Sequence, residues 1–290
     1  MSKFRIAPAL LLIALAALLA ACGGSDSGSS SSAAADSTAA ADTCAKDQLA
    51  LKNAGQLTIG TDKPAYPPYF EDDDPSNGKG FESAVAYAIA KQLGFTADEV
   101  KWVVVPFDSS YAPGDKAFDF DVNQISITED RQKVVDFSTP YYTAPQAIIV
   151  ASDSPLAGKT MLADFKGAQI GVQVGTTSLD AVESLIAPTA QAKVFNNSND
   201  VVAAFKQGQV DAIVTDLPTA LYLTAAVLEN AAVAGQFNAP GGDEWGALLQ
   251  KGSALTPCVD KAIEAMKADG ELDNLTMTWM AEQAGAPELK

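Results

Sequence analysis

The stretch from residue 126 to 131 carries a side chain that could bind an anion. Thr128 can cap a helix with its hydroxyl, which would place Arg131 in the first turn of that helix. An arginine adds positive charge to the positive end of a helix, so this position suits a bound anion. A guanidinium binds a carboxylate through two parallel hydrogen bonds. A solvated surface arginine is the alternative interpretation.

Two further stretches follow predicted strands and carry complementary groups. Gly175, Thr176 and Thr177 open a helix, where free backbone N–H groups and two hydroxyls can hold an anion. Asp216 ends a strand just before Pro218, and its carboxylate could bind an ammonium group. Simple helix caps or turns would explain either stretch equally well.

A fourth stretch, 61–70, contains Asp62 and Tyr66 among several prolines. The prolines stiffen the loop, and an aromatic ring can cover the apolar stem of a ligand, although a packed core aromatic is the alternative. Together the four stretches supply two carboxylate binders, one ammonium binder and aromatic walls. These groups suit the two charged ends of a zwitterion.

Composition argues against several other functions. Histidine is absent from the chain, which removes histidine general bases, Ser-His-Asp triads and histidine-ligated metals. The net charge of −17 argues against nucleic acid as a partner, because phosphate binding needs a basic surface. We therefore predict no catalytic residues, no metal and no cofactor.

The N-terminal residues have the pattern of an exported protein. A short basic region precedes the apolar run 7–20, which is shorter than the ~20 residues of a transmembrane helix and predicts a signal peptide over 1–21. Cys22 follows small residues, as in the lipobox of bacterial lipoproteins, which predicts an acylated Cys22 anchoring the protein outside the cytoplasm. A plain signal peptide with a chance cysteine is the alternative. After Cys22, residues 23–43 are only Gly, Ser, Ala, Asp and Thr, which predicts a disordered linker over 22–43.

The rest of the chain alternates short apolar runs with helical patterns, which predicts an α/β fold. The spacing of Phe81, Val85 and Ile89 predicts a helix that stops near Gly94. The predicted strands are 56–61, 101–106, 120–127, 146–151, 168–174, 192–195, 210–215 and 244–250. Further helices are predicted after Thr128, over 177–186 and 199–206, after Pro218, and over 257–268 and 272–283.

These elements divide into two similar α/β units. We predict a first lobe from residues 44–143 and 240–290, and a second lobe from residues 144–239. The two crossings between the lobes would form a hinge with a cleft between them. In open α/β sheets, ligands bind outside the carboxyl ends of the strands, where the polar stretches lie.

Cys44 and Cys258 are the remaining cysteines. An exported protein meets an oxidising environment, so we predict a disulfide between them. Two buried free thiols are the alternative. On the chain-entropy account, closing so long a loop could stabilise the fold by roughly 5 kcal/mol at most.

Six stretches of the chain, in order over most of residues 50–281, resemble the polar amino-acid-binding family of ABC importers, solute-binding protein family 3. They are IGTDKPAYPPYF, GKGFESAVAYAIAKQLGF, VNQISITEDRQKVVDFSTPYYT, IGVQVGTTSLD, VDAIVTDLPTA and KADGELDNLTMTWM. The resemblance implies a type II periplasmic-binding-protein fold, whose two lobes close on an amino acid and deliver it to a membrane permease with a cytoplasmic ATPase.

The resemblance also implies roles for individual residues. It implies that Arg131 holds the α-carboxylate of the ligand, that Ser126 and Thr177 add hydrogen bonds to it, and that Asp216 binds the α-ammonium. Such a protein would act as a monomer that touches the membrane only through its lipid anchor.

The remaining predicted site residues would contact the side chain of the ligand. The resemblance implies that Tyr66 stacks over it and that Asp62 lies where some members contact its polar tip. Asn123 and Gln124 stand where the family usually has small residues, so either could narrow the pocket or contact the ligand. The segment 108–118 also departs from the usual helix of the family.

Two other functions are compatible with the same fold. One is an enzyme, because family-like dehydratases exist and carboxylates could act as acid or base without histidine. The other is a ligand sensor that works with a separate partner, since no apolar run of membrane length follows the linker. We predict a binding protein and not an enzyme.

Overall fold

The computed structural model describes residues 43–280 and 286–290. The predicted signal peptide over 1–21, the predicted acylation of Cys22 and all but the last residue of the linker 22–43 lie outside these ranges.

The described residues form a mixed α/β fold. The strands are β1 Leu57–Thr61, β2 Val100–Val104, β3 Phe120–Asp121, β4 Val135–Phe137, β5 Tyr142–Thr143, β6 Gln146–Ala151, β7 Ile170–Gln173, β8 Lys193–Phe195, β9 Ala212–Asp216, β10 Ala231–Phe237, β11 Glu244–Trp245 and β12 Leu248–Gln250. The α-helices are α1 Phe81–Gln92, α2 Phe107–Ser110, α3 Glu129–Gln132, α4 Thr177–Ala181, α5 Ser198–Lys206, α6 Leu217–Tyr222, α7 Thr256–Ala268 and α8 Glu271–Met280. Short π-helical turns over Val182–Ile186 and Leu223–Val227 continue α4 and α6.

The first lobe is built on a five-stranded sheet with the order β2-β1-β3-β12-β4. Strand β1 runs parallel to β2 and β3, so its carboxyl end lies beside theirs. Because Gly60 pairs with Asp121, the residues just beyond these strands, Asp62 and Asn123, leave the sheet at the same edge. Helix α1 covers the sheet through Phe81, Val85 and Ile89, all fully buried as the helical spacing predicts.

The second lobe is built on a five-stranded sheet with the order β10-β6-β9-β7-β8. Strand β9 runs parallel to β7, and β7 to β8, whereas β6 is antiparallel to both of its neighbours. Parallel pairing of β7 and β9 brings Thr176, which follows β7, and Asp216, which ends β9, to one edge of the sheet. This edge faces the first lobe, as contacts described below show.

Two segments cross between the lobes side by side. Strand β5 in the first crossing pairs antiparallel with β11 in the second, with Tyr142 opposite Trp245. The indole of Trp245 is fully buried, and its ring centroid lies 4.9 Å from that of Tyr142. The described residues thus have the predicted two-lobed architecture.

The end of the chain differs from the predicted boundaries. Residues 286–290 lie against the second lobe, although we predicted all of 240–290 in the first. Glu288 forms a bridge with Gln236 of β10, and Leu289 is buried in the core of the second lobe. The backbone N–H of Leu162 also donates to the carbonyl of Lys290 at 3.0 Å. The short apolar tail thereby covers the edge strand β10, whose backbone groups would otherwise be exposed.

Several strand predictions also need correction, and the short strands β4 and β5 were not predicted. Strand β10 was missed, because its alanine-rich sequence has weak β-propensity and depends on pairing with β6. The predicted strand 120–127 shortens to β3, because Gln124 has a positive φ of 49°. The predicted strand 244–250 divides at Gly246, where a Cβ would come within 2.9 Å of the side chain of Ile127.

The predicted disulfide is present. The sulfurs of Cys44 and Cys258 are 2.04 Å apart, and the bond ties the start of the described chain to α7 of the first lobe. Within the two described ranges, every helix falls short of the length and apolar character that a membrane crossing needs.

Candidate ligand-binding site

A cavity of about 90 Å³ lies between the two lobes. One water needs ~10–15 Å³ by the same measure, so the cavity has room for several non-hydrogen atoms. The first lobe lines it with residues after β1 and β3, and the second lobe with residues after β7 and β9. The predicted site residues that line it are Asp62, Tyr66, Asn123, Gln124, Ser126, Thr176, Thr177 and Asp216.

Arg131 is the predicted site residue that does not itself line the cavity. Thr128 caps α3 as predicted, since its Oγ1 accepts from the backbone N–H of Arg131 at 3.2 Å. The guanidinium donates to the carbonyls of Ser126, at 2.6 Å, and of Gly175, at 2.9 Å. Its carbon also lies 4.7 Å from the ring centroid of Tyr111.

The charge of Arg131 is not neutralised by an ion pair within 4.0 Å in the described part of the chain. The side chain is 8% exposed, and burial lowers the pKa of its guanidinium from the ordinary value. Two neutral carbonyls use only part of its five N–H donors. A buried, unpaired cation is costly, so this position favours an incoming anion.

The two threonines after β7 do different things. The hydroxyl of Thr176 caps α4 by accepting from Leu179 N–H at 3.2 Å, as the simpler interpretation of this stretch suggested. Thr177 is buried instead between the lobes, with its Oγ1 3.3 Å from the Oγ of Ser126. The helix start at α4 therefore offers the cavity one hydroxyl that is not used for capping, and not two.

Asp216 lies at the end of β9 but does not cap the helix that follows it. Its Oδ1 accepts from Nε2 of Gln146 at 2.7 Å, and the same Nε2 donates to Oδ2 of Asp243 at 3.1 Å. Asp243 lies in the second crossing and also accepts from the hydroxyl of Ser126 at 3.3 Å. Two buried carboxyl groups therefore share one amide donor beside Ser126.

The electrostatics of this carboxyl pair follow from burial and like charge. Burial, reinforced by the nearby Asp243, raises the pKa of Asp216 to about 8, while Gln146 and Arg131 act in the opposite direction. Burial likewise raises the pKa of Asp243. A bound cation such as an ammonium would favour the ionised form of Asp216. We call Arg131, Ser126, Thr177, Asp216 and Asp243 the charged end of the cavity.

The other end of the cavity lies where β1 and β3 stop, and we call Thr61, Asp62 and Asn123 the strand end. Asp62 accepts from the backbone N–H of Lys63 at 2.6 Å and from that of Phe107 at 3.2 Å. Burial raises the pKa of its carboxyl despite these bonds.

Tyr66 of the first lobe reaches the second lobe across the cavity. Its hydroxyl donates to the side chain of Asn199, and its ring centroid lies 6.4 Å from that of Tyr222. Burial raises the pKa of its phenol to about 12. The ring of Phe107, which the sequence analysis did not single out, also lines the cavity.

Gln124 holds a backbone conformation that is unusual for a residue with a side chain. Its backbone N–H donates to Oε1 of Glu82 at 2.7 Å, and its side-chain amide donates to the other oxygen of Glu82. The hydroxyl of Tyr141 adds a third bond to Glu82 at 2.5 Å. Burial raises the pKa of Glu82 to about 7 in spite of these donors. The amide of Gln124 is thus committed to the first lobe.

Contacts between the lobes lie on several sides of the cavity. The hydroxyl of Tyr69 is 2.9 Å from that of Thr219, and the hydroxyl of Tyr111 donates to Gly175 at 3.1 Å. Together with the contacts of Tyr66 and Arg131, these bonds join the lobes in a closed arrangement.

Sequence reasoning missed Gln146, Asp243 and Glu82. Gln146 begins a strand that was predicted, but nothing local indicates that its amide bridges two acids. Asp243 follows two glycines, which suggested only a turn. The acidic residue in the first turn of α1 could have been noticed, because a fully buried glutamate needs partners.

A closed cleft between two α/β lobes, with a guanidinium and a carboxyl group at one end, defines the class of periplasmic-type solute-binding proteins. The model of bacterial extracellular solute-binding proteins, family 3, matches residues 57–282, and the chain belongs to this family. Its members are extracytoplasmic, and the resemblance drawn from the six sequence stretches is confirmed.

Among curated proteins, the chain is 33% identical over 273 residues to the ABC transporter glutamine-binding protein GlnH of Bacillus subtilis, covering 91% of this chain and 93% of the relative. It is 30% identical over 234 residues to the L-cystine-binding protein TcyJ of Escherichia coli, covering 79% and 84%. Family membership and these relatives support the binding of an amino acid within an ABC transport system.

Solved structures give the same fold. An ancestral arginine-binding protein bound to arginine matches with 36% identity and a TM-score of 0.66, covering 78% of this chain and 98% of that one. An ancestral amino acid-binding protein described as a precursor of cyclohexadienyl dehydratase matches with 33% identity and a TM-score of 0.64, covering 78% and 95%.

Proposed function

We propose that the protein captures a polar α-amino acid by closure of its two lobes and delivers it to the permease of an ABC importer. The observation that carries this proposal is the charged end of the cavity. Arg131 is cationic, an ionised Asp216 is anionic, the two groups act on each other electrostatically, and the described residues provide no salt bridge to either. An α-carboxylate and an α-ammonium would complement both groups at once.

Closure supports the same proposal. Arg131 and Ser126 belong to the first lobe, whereas Thr177 and Asp216 belong to the second. A ligand held by both pairs would stabilise the closed arrangement over the open one, and only such a difference in affinity can shift the equilibrium. The relatives that bind glutamine and cystine belong to the same family.

We further propose that the protein works outside the cytoplasm as a monomer, tethered by lipid on Cys22 through the linker 22–43. The disulfide Cys44–Cys258 places the start of the body on the first lobe, at the end of this linker. Mass spectrometry of the membrane fraction should find diacylglycerol on Cys22, and a Cys22→Ala variant should leave that fraction.

We propose that the protein binds its ligand without converting it to a product. A carboxyl with a pKa of about 8 could donate a proton near neutral pH, which is the observation that favours a dehydratase-like alternative. Incubation with prephenate, followed by ultraviolet absorbance, should show no product above the rate without protein. Product formation that Asp216→Asn abolishes would replace the transport role with an enzymatic one.

The test of the proposed function is a thermal-shift screen against the L-amino acids. A ligand that binds only the folded state raises the melting temperature in step with its affinity. We expect at least one polar amino acid to raise it clearly, and a matched des-amino acid to raise it less.

A further inference from the structure

The strand end of the cavity contains polar atoms that the protein leaves without partners. Nδ2 of Asn123 and Oγ1 of Thr61 are fully buried and have no hydrogen-bond partner among the described residues. Both residues line the cavity, and Asn123 as a whole is only 7% exposed. Buried polar groups are nearly always hydrogen-bonded, so each of these atoms needs an explanation.

The carboxyl oxygens of Asp121 are also buried without partners, but Asp121 does not line the cavity, and the neighbouring polar side chains that do line it have other partners. Asp62 accepts two backbone N–H groups, the amide of Gln124 is bound to Glu82, and the amide of Asn197 caps α5 by accepting from Asp200 N–H at 2.9 Å. Asn123 is therefore a cavity-lining residue whose buried Nδ2 has no acceptor among the described residues.

The charges around the strand end do not suit a ligand whose side chain ends in a charged group. In the part of the chain that the structure describes, no lysine or arginine side chain lines the cavity, so an anionic tip would lack a counter-ion. The acid that lines this end, Asp62, accepts from two backbone donors instead of being free for a bidentate guanidinium bond. Beyond these residues the second lobe supplies an apolar wall of Val201, Val202, Ile213 and Leu223.

We propose that the ligand is an α-amino acid with an uncharged side chain ending in a carboxamide or ureido group, and that Asn123 is the residue that selects it. The carbonyl of such a group accepts from Nδ2 of Asn123. Its NH₂ group donates to Oγ1 of Thr61 or to the outer lone pairs of Asp62. This inference rests on the proposed function, because it assumes that the charged end holds the amino-acid backbone.

The test uses two pairs of ligands that match in shape and differ in charge: L-glutamine with L-glutamate, and L-citrulline with L-arginine. Titration calorimetry of the intact protein should show the neutral member of at least one pair bound tenfold or more tighter than its charged partner. L-Norleucine, which has a stem without an amide, should bind more weakly than that neutral ligand. A site that hydrogen-bonds a ligand group rejects analogues lacking it, because its own polar atoms are left unpaired.

The variant Asn123→Ala tests whether this residue selects the ligand. We expect it to weaken the preferred neutral ligand about tenfold, as for the loss of one buried hydrogen bond, and to leave L-norleucine unchanged. Asn123→Asp should shift preference toward L-arginine by adding a carboxylate. If either variant fails to fold, which its melting curve would show, the ligand pairs measured on the natural protein still decide the ligand class.

Several outcomes would overturn the inference. One is that both charged ligands, L-glutamate and L-arginine, bind as tightly as their neutral partners or more tightly. Another is that L-norleucine binds as tightly as the preferred neutral ligand. The third is that Asn123→Ala weakens every ligand equally. Any of these results would leave the proposed function standing as long as some amino acid binds. Failure of every L-amino acid to bind would instead overturn the proposed function itself.

Discussion

The charged end and the strand end of the cavity differ in how their polar groups are satisfied. At the charged end, Gln146 and Ser126 hold the carboxyl groups of Asp216 and Asp243 in place before any ligand arrives. At the strand end, Asn123 and Thr61 have buried atoms without partners. The first arrangement suits groups that every α-amino acid has, and the second suits a group that only some have. The charged end thus recognises α-amino acids as a class, and the strand end selects among them by their side chains.

The largest expected effect concerns the carboxylate binder at the charged end. Arg131→Ala should weaken amino-acid binding by about 2–5 kcal/mol, the range for breaking a desolvated charge pair. Titration calorimetry would measure the loss, with Lys133→Ala as a control because Lys133 is exposed and forms a surface salt bridge with Asp130. Normal binding by a folded Arg131→Ala protein would show that the carboxylate lies elsewhere.

The next effect concerns the ammonium binder. Asp216→Asn keeps the size of the side chain and its acceptor for Gln146, yet removes the charge, so we expect a loss of about 2–4 kcal/mol for α-amino acids. The des-amino analogue of the same ligand should lose much less. Equal losses for the two ligands would count against an ammonium at Asp216.

A smaller effect concerns pH. The free protein keeps a proton on Asp216 up to a pKa of about 8, whereas an ammonium-bound Asp216 is ionised. Binding therefore releases a proton below pH 8, so affinity should rise with pH, by at most about tenfold per unit, and level off near pH 8. Calorimetry between pH 6 and 8.5 would measure the slope. The slope should disappear in Asp216→Asn, and a flat profile in the natural protein would contradict the arrangement.

The smallest effect concerns the strained residue beside the strand end. Gln124→Gly removes the cost of a positive φ but also the amide bond to Glu82, whereas Gln124→Ala keeps that cost and loses the same bond. We expect the alanine variant to be less stable than the glycine variant by about 1 kcal/mol in denaturant unfolding. Equal stabilities would mean that the backbone of residue 124 is not held in this conformation.

Much of this arrangement was predictable because it depends on local patterns. The capping of α3 by Thr128 and the position of Asp216 at the end of β9 follow from residues close in sequence. The bridge from Gln146 to Asp216 and Asp243 does not, because it joins residues 70 and 97 positions apart. It depends on the antiparallel pairing of β6 with β9, which sets Gln146 opposite Asp216, and on the second crossing, which carries Asp243 and pairs with the first through β5 and β11.

The positive φ of Gln124 is a second feature that local sequence patterns could not predict. A polar side chain after an apolar run predicted continued strand, and the turn depends on a buried glutamate 42 positions earlier. That Nδ2 of Asn123 lacks a hydrogen-bond acceptor is likewise visible only in the folded cavity. Sequence patterns therefore located the residues of the site, and long-range contacts determine what each of them can bind.

A crystal structure with the tightest-binding L-amino acid would test the central claim most directly. The account predicts an α-carboxylate within hydrogen-bond distance of the Arg131 guanidinium and of Thr177. It predicts the α-ammonium against Asp216, and the side chain pointing toward Asn123. A ligand bound in the reverse direction, or outside the cleft between the lobes, would contradict it.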